Sequence, residues 1–348
     1  MSGEMTSTWS RGGLVEVPAC PMCDSSQRTF ITETRDAMTG RTDPWRLWSC
    51  DSCRSEWLDP RPDDASLPFA YDFDYVTHRD VSAPVRGGLL LAAIQGYLKR
   101  RHGFDGLPAS VPAGWLLGCV PPLRLKLDYY ARHLGAGRGR TLLDVGCGNG
   151  AFLDVARQMG WDAEGVDPDP AAVRVCLNKG LKVTQGFIGD ISADRRRAGW
   201  DAITLSHSLE HAPRPRVLLH EVAELLVPGG RAWIGIPNPQ SRGARLFGAA
   251  WESHDAPRHL CLPSADAMES ACRGAGFADV RFARRGAHSG RLYRRSAEIE
   301  SESGVTFHRR MAWTNRLQAL VTDLLATVSG RGGDELVVIA TLGTGEAS

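Results

Sequence analysis

Residues 141–150, Thr-Leu-Leu-Asp-Val-Gly-Cys-Gly-Asn-Gly, constrain this chain more than any other stretch. Leu142, Leu143 and Val145 read as a buried strand, and Gly146, Gly148 and Gly150 form a loop whose backbone a ligand can approach. A helix opening at Ala151 aims its N-terminal amides at the same place. A dinucleotide fingerprint, Gly-x-Gly-x-x-Gly, would seat a pyrophosphate there; here the third glycine comes one residue early and acidic Asp144 precedes the loop. A carboxylate repels a pyrophosphate but suits an ammonium group, while the loop amides suit a carboxylate. The pattern fits the amino-acid end of S-adenosylmethionine, with Cys147 and Asn149 as the remaining loop contacts. Asp167, twenty-three residues past Asp144 and after a second strand (Asp162–Val166), is placed for ribose hydroxyls, with Pro168 beside it.

From this loop onward strand and helix alternate, the pattern of a parallel sheet covered on both faces. The expected class is α/β, a Rossmann-like sheet with helices on both sides. Helices are expected over Phe152–Met159, Ala171–Lys179, Arg216–Leu226 and Pro263–Ala275, and strands over Leu181–Gln185, Trp200–Leu205, Arg231–Ile236, Ala278–Arg284 and 333–340. Past the third strand, Phe187 and Ile188 offer apolar walls for adenine, with Asp190 nearby to accept from its amino group. The fourth strand delivers Ser206-His207-Ser208-Leu209-Glu210-His211 to the carboxyl end of the sheet, where ligands bind in such folds. Ser206 joins the cofactor contacts.

Leu-Leu-Asp-Val-Gly-Cys-Gly-Asn-Gly, Gly165-Val166-Asp167-Pro168, Leu209-Glu210-His211, Val227-Pro228-Gly229-Gly230 and Ile236-Pro237-Asn238 resemble the class I S-adenosylmethionine-dependent methyltransferases. The resemblance is greatest to the ubiquinone-pathway type of O-methyltransferase and to methyltransferases of polysaccharide and sugar pathways. It covers roughly residues 139–285 and a final strand near 335–342. It implies the cofactor and the fold, not the acceptor. Trp251 to Leu260 resembles a Trp...Pro-Arg-His-Leu segment that stands as an acceptor-side lid in relatives carrying a zinc ribbon, and Tyr71–His78 a tyrosine-rich connector that lines their acceptor cleft.

Cys20-Pro-Met-Cys23 and Cys50-Asp-Ser-Cys53 are two Cys-x-x-Cys knuckles separated by 26 residues. Four thiolates at such spacing complete a tetrahedral zinc site, and four protein ligands leave no position open, so the role is structural. Thr29–Thr34 and Trp45–Trp48 alternate like ribbon strands around a loop at Asp36–Asp43. Between Leu14 and Pro62 eight acids face six arginines, the wrong sign for a phosphate footprint, so no nucleic-acid partner is expected. Formal charge is +1 overall. Of the 41 basic residues 37 are arginine, which reads first as compositional bias. No signal peptide and no apolar run of spanning length stand in the sequence, which points to the cytoplasm.

The expected organisation is a disordered start over 1–13, a ribbon over 14–62, a linker and helical cap over 63–138, and a catalytic domain over 139–348. Two insertions, 242–262 and 285–331, interrupt that domain; the second is an amphipathic excursion packing on the domain or on a second subunit in a homodimer. The cap, broken by Pro108, Pro112, Pro121 and Pro122, is expected to roof the pocket, although its apolar, basic-ended first helix also suits a membrane surface. The reaction expected is O-methylation of a sugar, glycan or other small-molecule hydroxyl, which needs a base. His259 ranks first, then His211 and His207, with His254 also in position. A ribbon-bearing RNA methyltransferase and a deoxysugar C- or N-methyltransferase are the alternatives.

Overall fold

The computed structural model describes residues 9–72, 88–105, 109–286, 288–302 and 312–344. The chain opens with five short strands, β1 (Leu14–Val15), β2 (Arg28–Asp36), β3 (Arg41–Cys50), β4 (Glu56–Leu58) and β5 (Arg61–Pro62). The hairpin between β2 and β3 is tighter than the loop expected over Asp36–Asp43. Asp36 Oδ1 accepts the amides of Met38 (3.0 Å) and Thr39 (3.2 Å), and an aspartate that satisfies its own turn favours a short connection. Residues 9–13 correct the expectation of disorder: Trp9 is buried edge-on against Trp45 at 5.6 Å, and the Gly13 amide donates to Ser66 Oγ. One indole removes roughly 150–250 Å² from water, enough to hold a short polar segment down. Residues 1–8 of that expectation lie outside the described residues, as do Tyr75 and His78 of the connector and Pro108 of the cap.

The cap is α1 (Leu89–His102), α2 (Val111–Gly118) and α3 (Pro121–Tyr130). Helices α1 and α2 cross with their backbones in contact, because a Cβ on Gly114 would lie 2.3 Å from the Tyr97 amide. Tyr97 Oη, Arg101 Nε and His102 Nε2 converge on Asp128 Oδ1 of α3 at 2.7, 3.0 and 2.9 Å, which ties the first helix to the third.

The alternating part begins with β6 (Thr141–Val145), α4 (Ala151–Gln158), β7 (Asp162–Asp167), α5 (Pro170–Asn178), β8 (Lys182–Gln185), α6 (Ala193–Ala198) and β9 (Trp200–Ser206). It continues through α7 (Pro215–Leu225), β10 (Leu226–Pro237), α8 (Arg242–Phe247), β11 (Cys261–Leu262), α9 (Ala265–Gly274), β12 (Phe277–Ala283), α10 (Ser289–Glu302), α11 (Ala312–Val328) and β13 (Glu335–Leu342). Seven strands make one sheet in the order β8-β7-β6-β9-β10-β13-β12, and β13 runs antiparallel to both its neighbours. Leu142, Leu143, Ile203, Leu205, Ile234, Ile236 and Val338 are 0–1% exposed, as strands covered on both faces require. The order reverses between β6 and β9, so a crevice opens at their carboxyl ends, where the glycine loop and residues 206–211 stand.

Strand β11 is not part of that sheet. It pairs with β4, giving the ribbon a four-stranded order β11-β4-β3-β2, so the expected boundary between ribbon and catalytic domain is crossed by the segment 242–262. The excursion 285–331 forms α10 and α11, which pack on the domain: Tyr293 Oη lies 2.8 Å from Thr322 Oγ1, and Arg242 Nε donates to Gln318 Oε1 at 2.8 Å. Among the described residues no helix is long and apolar enough to cross a membrane.

Candidate active site and zinc centre

The two knuckles have one geometry. In each, the first cysteine's amide donates to the serine carbonyl five residues on, Cys20 to Ser25 and Cys50 to Ser55, both at 2.9 Å. Asp24 and Arg54, next after each second cysteine, take φ near +60°. This turn points both sulfurs of a knuckle the same way, and the four Sγ atoms lie within 4.8 Å of one another. The Cys20–Cys53 and Cys23–Cys50 separations are 3.5 Å, against roughly 3.8 Å for the edge of a tetrahedron with Zn–S bonds of about 2.3 Å. The four thiolates fit a structural zinc ion.

The glycine loop is shaped by contact on both sides. Gly146 has φ +72°, and a Cβ there would stand 2.5 Å from Ser208 Oγ, so the loop and the end of β9 touch only because this residue lacks a side chain. Gly150, at φ +74°, precedes α4 and leaves no space for a Cβ, which would meet Leu181 at 2.4 Å. Asp167 Oδ2 accepts the Gly148 amide at 2.8 Å and Oδ1 the Asp169 amide at 2.9 Å, which fixes the carboxylate at the loop's edge. Cys147 is buried, Asn149 half-buried and Pro168 exposed around it. Phe187 is exposed and Ile188 buried beyond β8, and Asp190 accepts the Phe187 amide at 2.7 Å instead of facing outward alone. Ser206 closes β9, half-buried.

Asp144 differs from the sequence reading. It is 1% exposed and already holds a cation: Arg132 Nη1 donates to Oδ1, and Thr204 Oγ1 donates to the same oxygen at 2.8 Å. A carboxylate this deep needs a resident positive partner, and no ammonium contact is required to explain it. Arg132 gives no sequence signal, because it reaches Asp144 only through the turn that follows α3.

At the end of β9 the structure brings His207, Glu210 and His211 together with His259 from the insertion. His207 Nδ1 lies 3.1 Å from Glu210 Oε1 and Nε2 lies 3.3 Å from Glu335 Oε1. Desolvation opposes its charge, but its side chain is 41% exposed and two carboxylates prevail, pushing its pKa up to about 10. The two carboxylates therefore hold His207 toward its charged form, which makes it a poorer proton acceptor than a neutral imidazole. His211 is the reverse: burial, with His259 adding to it, pushes its pKa down to about 4. Its Nδ1 lies 3.0 Å from the Arg258 carbonyl, an acceptor, so the proton sits on Nδ1 and the lone pair on Nε2. Tyr71 Oη stands 2.9 Å from the same Nδ1, which brings the start of the tyrosine-rich connector into the site.

His259 Nδ1 donates to the Ser253 carbonyl at 2.7 Å, leaving its Nε2 lone pair 3.9 Å from Glu210 Oε1 and 3.9 Å from Asp255 Oδ2. The His211 and His259 rings meet edge to face at 4.7 Å. Glu210 is fully buried, and its Oε2 has no hydrogen-bond partner among the described residues. Glu210, His211 and His259 thus present one ligand-type atom each within 4.8 Å of one another, a set that could also hold a divalent cation. His254 is buried against Trp251 with Nε2 3.5 Å from Glu56 of the ribbon, away from this junction.

The segment carrying His259 is a pinned strap. Arg258 is 0% exposed and forks onto Asp36 of β2 at 2.6 and 3.1 Å and onto Asp255 at 2.7 Å. Ser264 Oγ donates to the Cys53 carbonyl at 2.6 Å, and the Leu260 amide to the Glu210 carbonyl at 2.8 Å. The expected lid is therefore fastened to the zinc ribbon on one side and to the end of β9 on the other.

With this geometry in place, residues 123–281 match a family model described as a methyltransferase domain. This stretch is similar to a methyltransferase domain. The ubiquinone biosynthesis O-methyltransferase of Alkalilimnicola ehrlichii is 33% identical over 134 residues, 36% of this chain and 54% of the relative. That of Erwinia tasmaniensis is 30% identical over 142 residues, 38% of this chain and 58% of the relative. The chain spans about half the length of these curated relatives. A solved SAM-dependent methyltransferase from Archaeoglobus fulgidus, 18% identical, superposes with a TM-score of 0.41 over 70% of this chain and 97% of that one. The strand order places the methyltransferase loop of residues 146–150 beside the histidine junction through the Ser208 Oγ to Val145 carbonyl bond of 2.7 Å.

Proposed function

We propose that this chain is an S-adenosylmethionine-dependent O-methyltransferase acting on a hydroxyl of a sugar, a glycan or another small molecule. The observation that carries O-transfer is the junction of Glu210, His211 and His259, where two imidazoles stand beside a buried carboxylate whose Oε2 has no hydrogen-bond partner among the described residues. Bound at the glycine loop, S-adenosylmethionine supplies a methyl group already activated on a sulfonium. What remains for the protein is alignment and removal of one proton as the acceptor oxygen attacks. His259 Nε2 receives that proton, with Glu210 and Asp255 placed to stabilise the imidazolium, and neutral His211 lies between it and the Tyr71 side of the site. Asp167 holds the ribose hydroxyls, and Phe187 and Ile188 flank the adenine. The relatives' names, which specify O-methyltransferases, support the atom methylated.

The test is methyl transfer from labelled S-adenosylmethionine onto a panel of nucleotide-sugars, glycolipids and phenols, repeated with His259→Ala and His211→Ala. Loss of a general base lowers kcat by about a hundredfold or more with cofactor affinity retained. Native turnover by His259→Ala on the true acceptor refutes its role. A second reading rests on the orphaned Glu210 Oε2: a divalent cation held by the three ligands would orient the acceptor oxygen instead. It predicts activity that rises with added magnesium or manganese, a response the base reading lacks.

A further inference from the structure

Two adjoining clefts, of about 490 Å³ and about 410 Å³, open between the cap helices α1 and α3 and the outer strands β12 and β13. They share Arg101, Asp128, His133 and Ala283, so they form one continuous groove. Arg100 and Arg124 line the first cleft with Arg284, and Arg281 lines the second. Arginine is abundant in this sequence and many described arginines elsewhere also lack a carboxylate partner; what sets this groove apart is that four such guanidinium groups line one cavity. Arg100, Arg124, Arg281 and Arg284 have no carboxylate partner among the described residues. The groove's one acid, Asp128, is already engaged by Tyr97, Arg101 and His102.

The wall between the clefts is donor-rich as well. Trp233 Nε1 donates to His133 Nδ1 at 3.2 Å, so the neutral ring carries its proton on Nε2, which has no acceptor among the described residues. Burial, the largest effect on this ring, keeps it neutral with a pKa of about 4. Arg132 and His133 both adopt left-handed φ, 47° and 54°, a conformation unfavourable to residues other than glycine. This turn sends Arg132 to Asp144 under the cofactor loop and His133 to the groove, so the backbone is held in an unfavourable form to serve both sides.

We infer that this groove binds a phosphate-bearing ligand, with Arg100, Arg124, Arg281 and Arg284 on the phosphate oxygens. A single carboxylate would neutralise only one of four unmatched guanidinium groups, whereas a diphosphate brings more charge in one compact group and matches the forked donor geometry. Leu125, Phe282 and Ile339 give the same groove an apolar floor for the rest of the ligand. Its dimensions suit a small molecule or a lipid headgroup, and these two sources share the chemistry of recognition. The inference does not depend on the proposed reaction, because the groove is separate from the histidine junction and its test is binding.

The experiment titrates the zinc-loaded full chain with inorganic pyrophosphate by calorimetry at low and high salt. The native chain should bind, and Arg124→Gln and Arg284→Gln should each weaken binding about tenfold or more, with Arg196→Gln on α6 as an unaffected control. Unchanged melting points and S-adenosylmethionine affinity exclude misfolding in the variants. A parallel arm sediments the protein with phosphatidylcholine vesicles containing phosphatidylglycerol. Cosedimentation that pyrophosphate displaces and the Arg124→Gln/Arg284→Gln pair abolishes assigns a lipid headgroup; pyrophosphate binding without cosedimentation assigns a free phosphate ester. No pyrophosphate binding by the native chain, or equal binding by the arginine variants, overturns the inference.

Discussion

Arg258→Met is expected to be strongly destabilising. All five N–H donors of Arg258 have acceptors: Nε reaches Asp255, Nη1 reaches Asp36 and the Ala70 carbonyl, and Nη2 reaches Asp36 and Asp255. Methionine keeps the aliphatic stem, so the change isolates the charge from the packing. It leaves Asp36, 3% exposed, and Asp255 as two acids in one site without a cation. Removing one partner of a buried ion pair costs about 3–5 kcal/mol, which at roughly 2–4 °C per kcal/mol lowers Tm by about 6–20 °C. Thermal unfolding followed by tryptophan fluorescence measures it, because Trp45 and Trp57 lie buried in the ribbon and Trp251 in the strap. A second arm tests the cause: Asp36→Asn added to Arg258→Met removes one orphaned charge and should regain part of the loss. A native-like Tm for Arg258→Met, or a double variant less stable than the single, would refute the reasoning.

Elemental analysis should find one zinc per chain, and Cys50→Ser should lose the metal and destabilise the ribbon, since four ligands leave no spare. Asp167→Ala should weaken S-adenosylmethionine binding by about 1.5–3 kcal/mol in calorimetry, the range for charge-assisted hydrogen bonds; unchanged affinity removes the ribose assignment. Asp128 adds acid sensitivity. Burial opposes its charge, but His102, Tyr97 and Arg101 outweigh it and hold its carboxyl below the usual range. The stabilisation is therefore complete above the unfolded aspartate pKa of about 3.9 and is lost as pH falls through the folded value. Asp128→Asn should lower the urea midpoint near neutrality and flatten its decline below about pH 4; an equally steep decline in the variant contradicts this.

The glycine loop and the cysteine knuckles were legible because each function sits in a few consecutive residues whose spacing is set by local geometry. Asp144 was legible as a position but not as an environment, since its cation comes from Arg132 through a turn that no periodicity marks. Arg258 and Asp36 stand 222 residues apart, and neither carries a local signal that it will meet the other. Strand β11 is two residues long, too short to show alternation, so its place in the ribbon sheet could only come from pairing. The three ranked histidines were separable only by their neighbours. His207 is held toward its charged form because Glu335, the first residue of the last strand, stands opposite Glu210 across it, while His211 and His259 keep Nε2 free because backbone carbonyls accept from Nδ1.

These contacts give the ribbon a task beyond its own folding. A free loop carrying His259 would sample many positions relative to His211, and misplacement by about 1 Å can cost a reaction a hundredfold. Here the strap is held at both ends by hydrogen bonds and an ion pair: the Cys53 carbonyl and the neighbouring Ser55 hydroxyl hold Ser264, while β2 holds Arg258 through Asp36. Only residues 259–263 separate the two anchors; among them the Leu260 amide donates to the Glu210 carbonyl, while the Arg258 carbonyl accepts from His211 Nδ1. The zinc-binding knuckle is thereby linked to the histidine junction through the short backbone stretch from Ser264 to Arg258, whose carbonyl accepts from His211. A variant that loses zinc while the seven-stranded sheet stays folded should keep cofactor affinity, which depends on β6 and β7, and lose turnover, which depends on the strap. Parallel loss of both would mean that the ribbon supports the whole domain and not the position of the histidines.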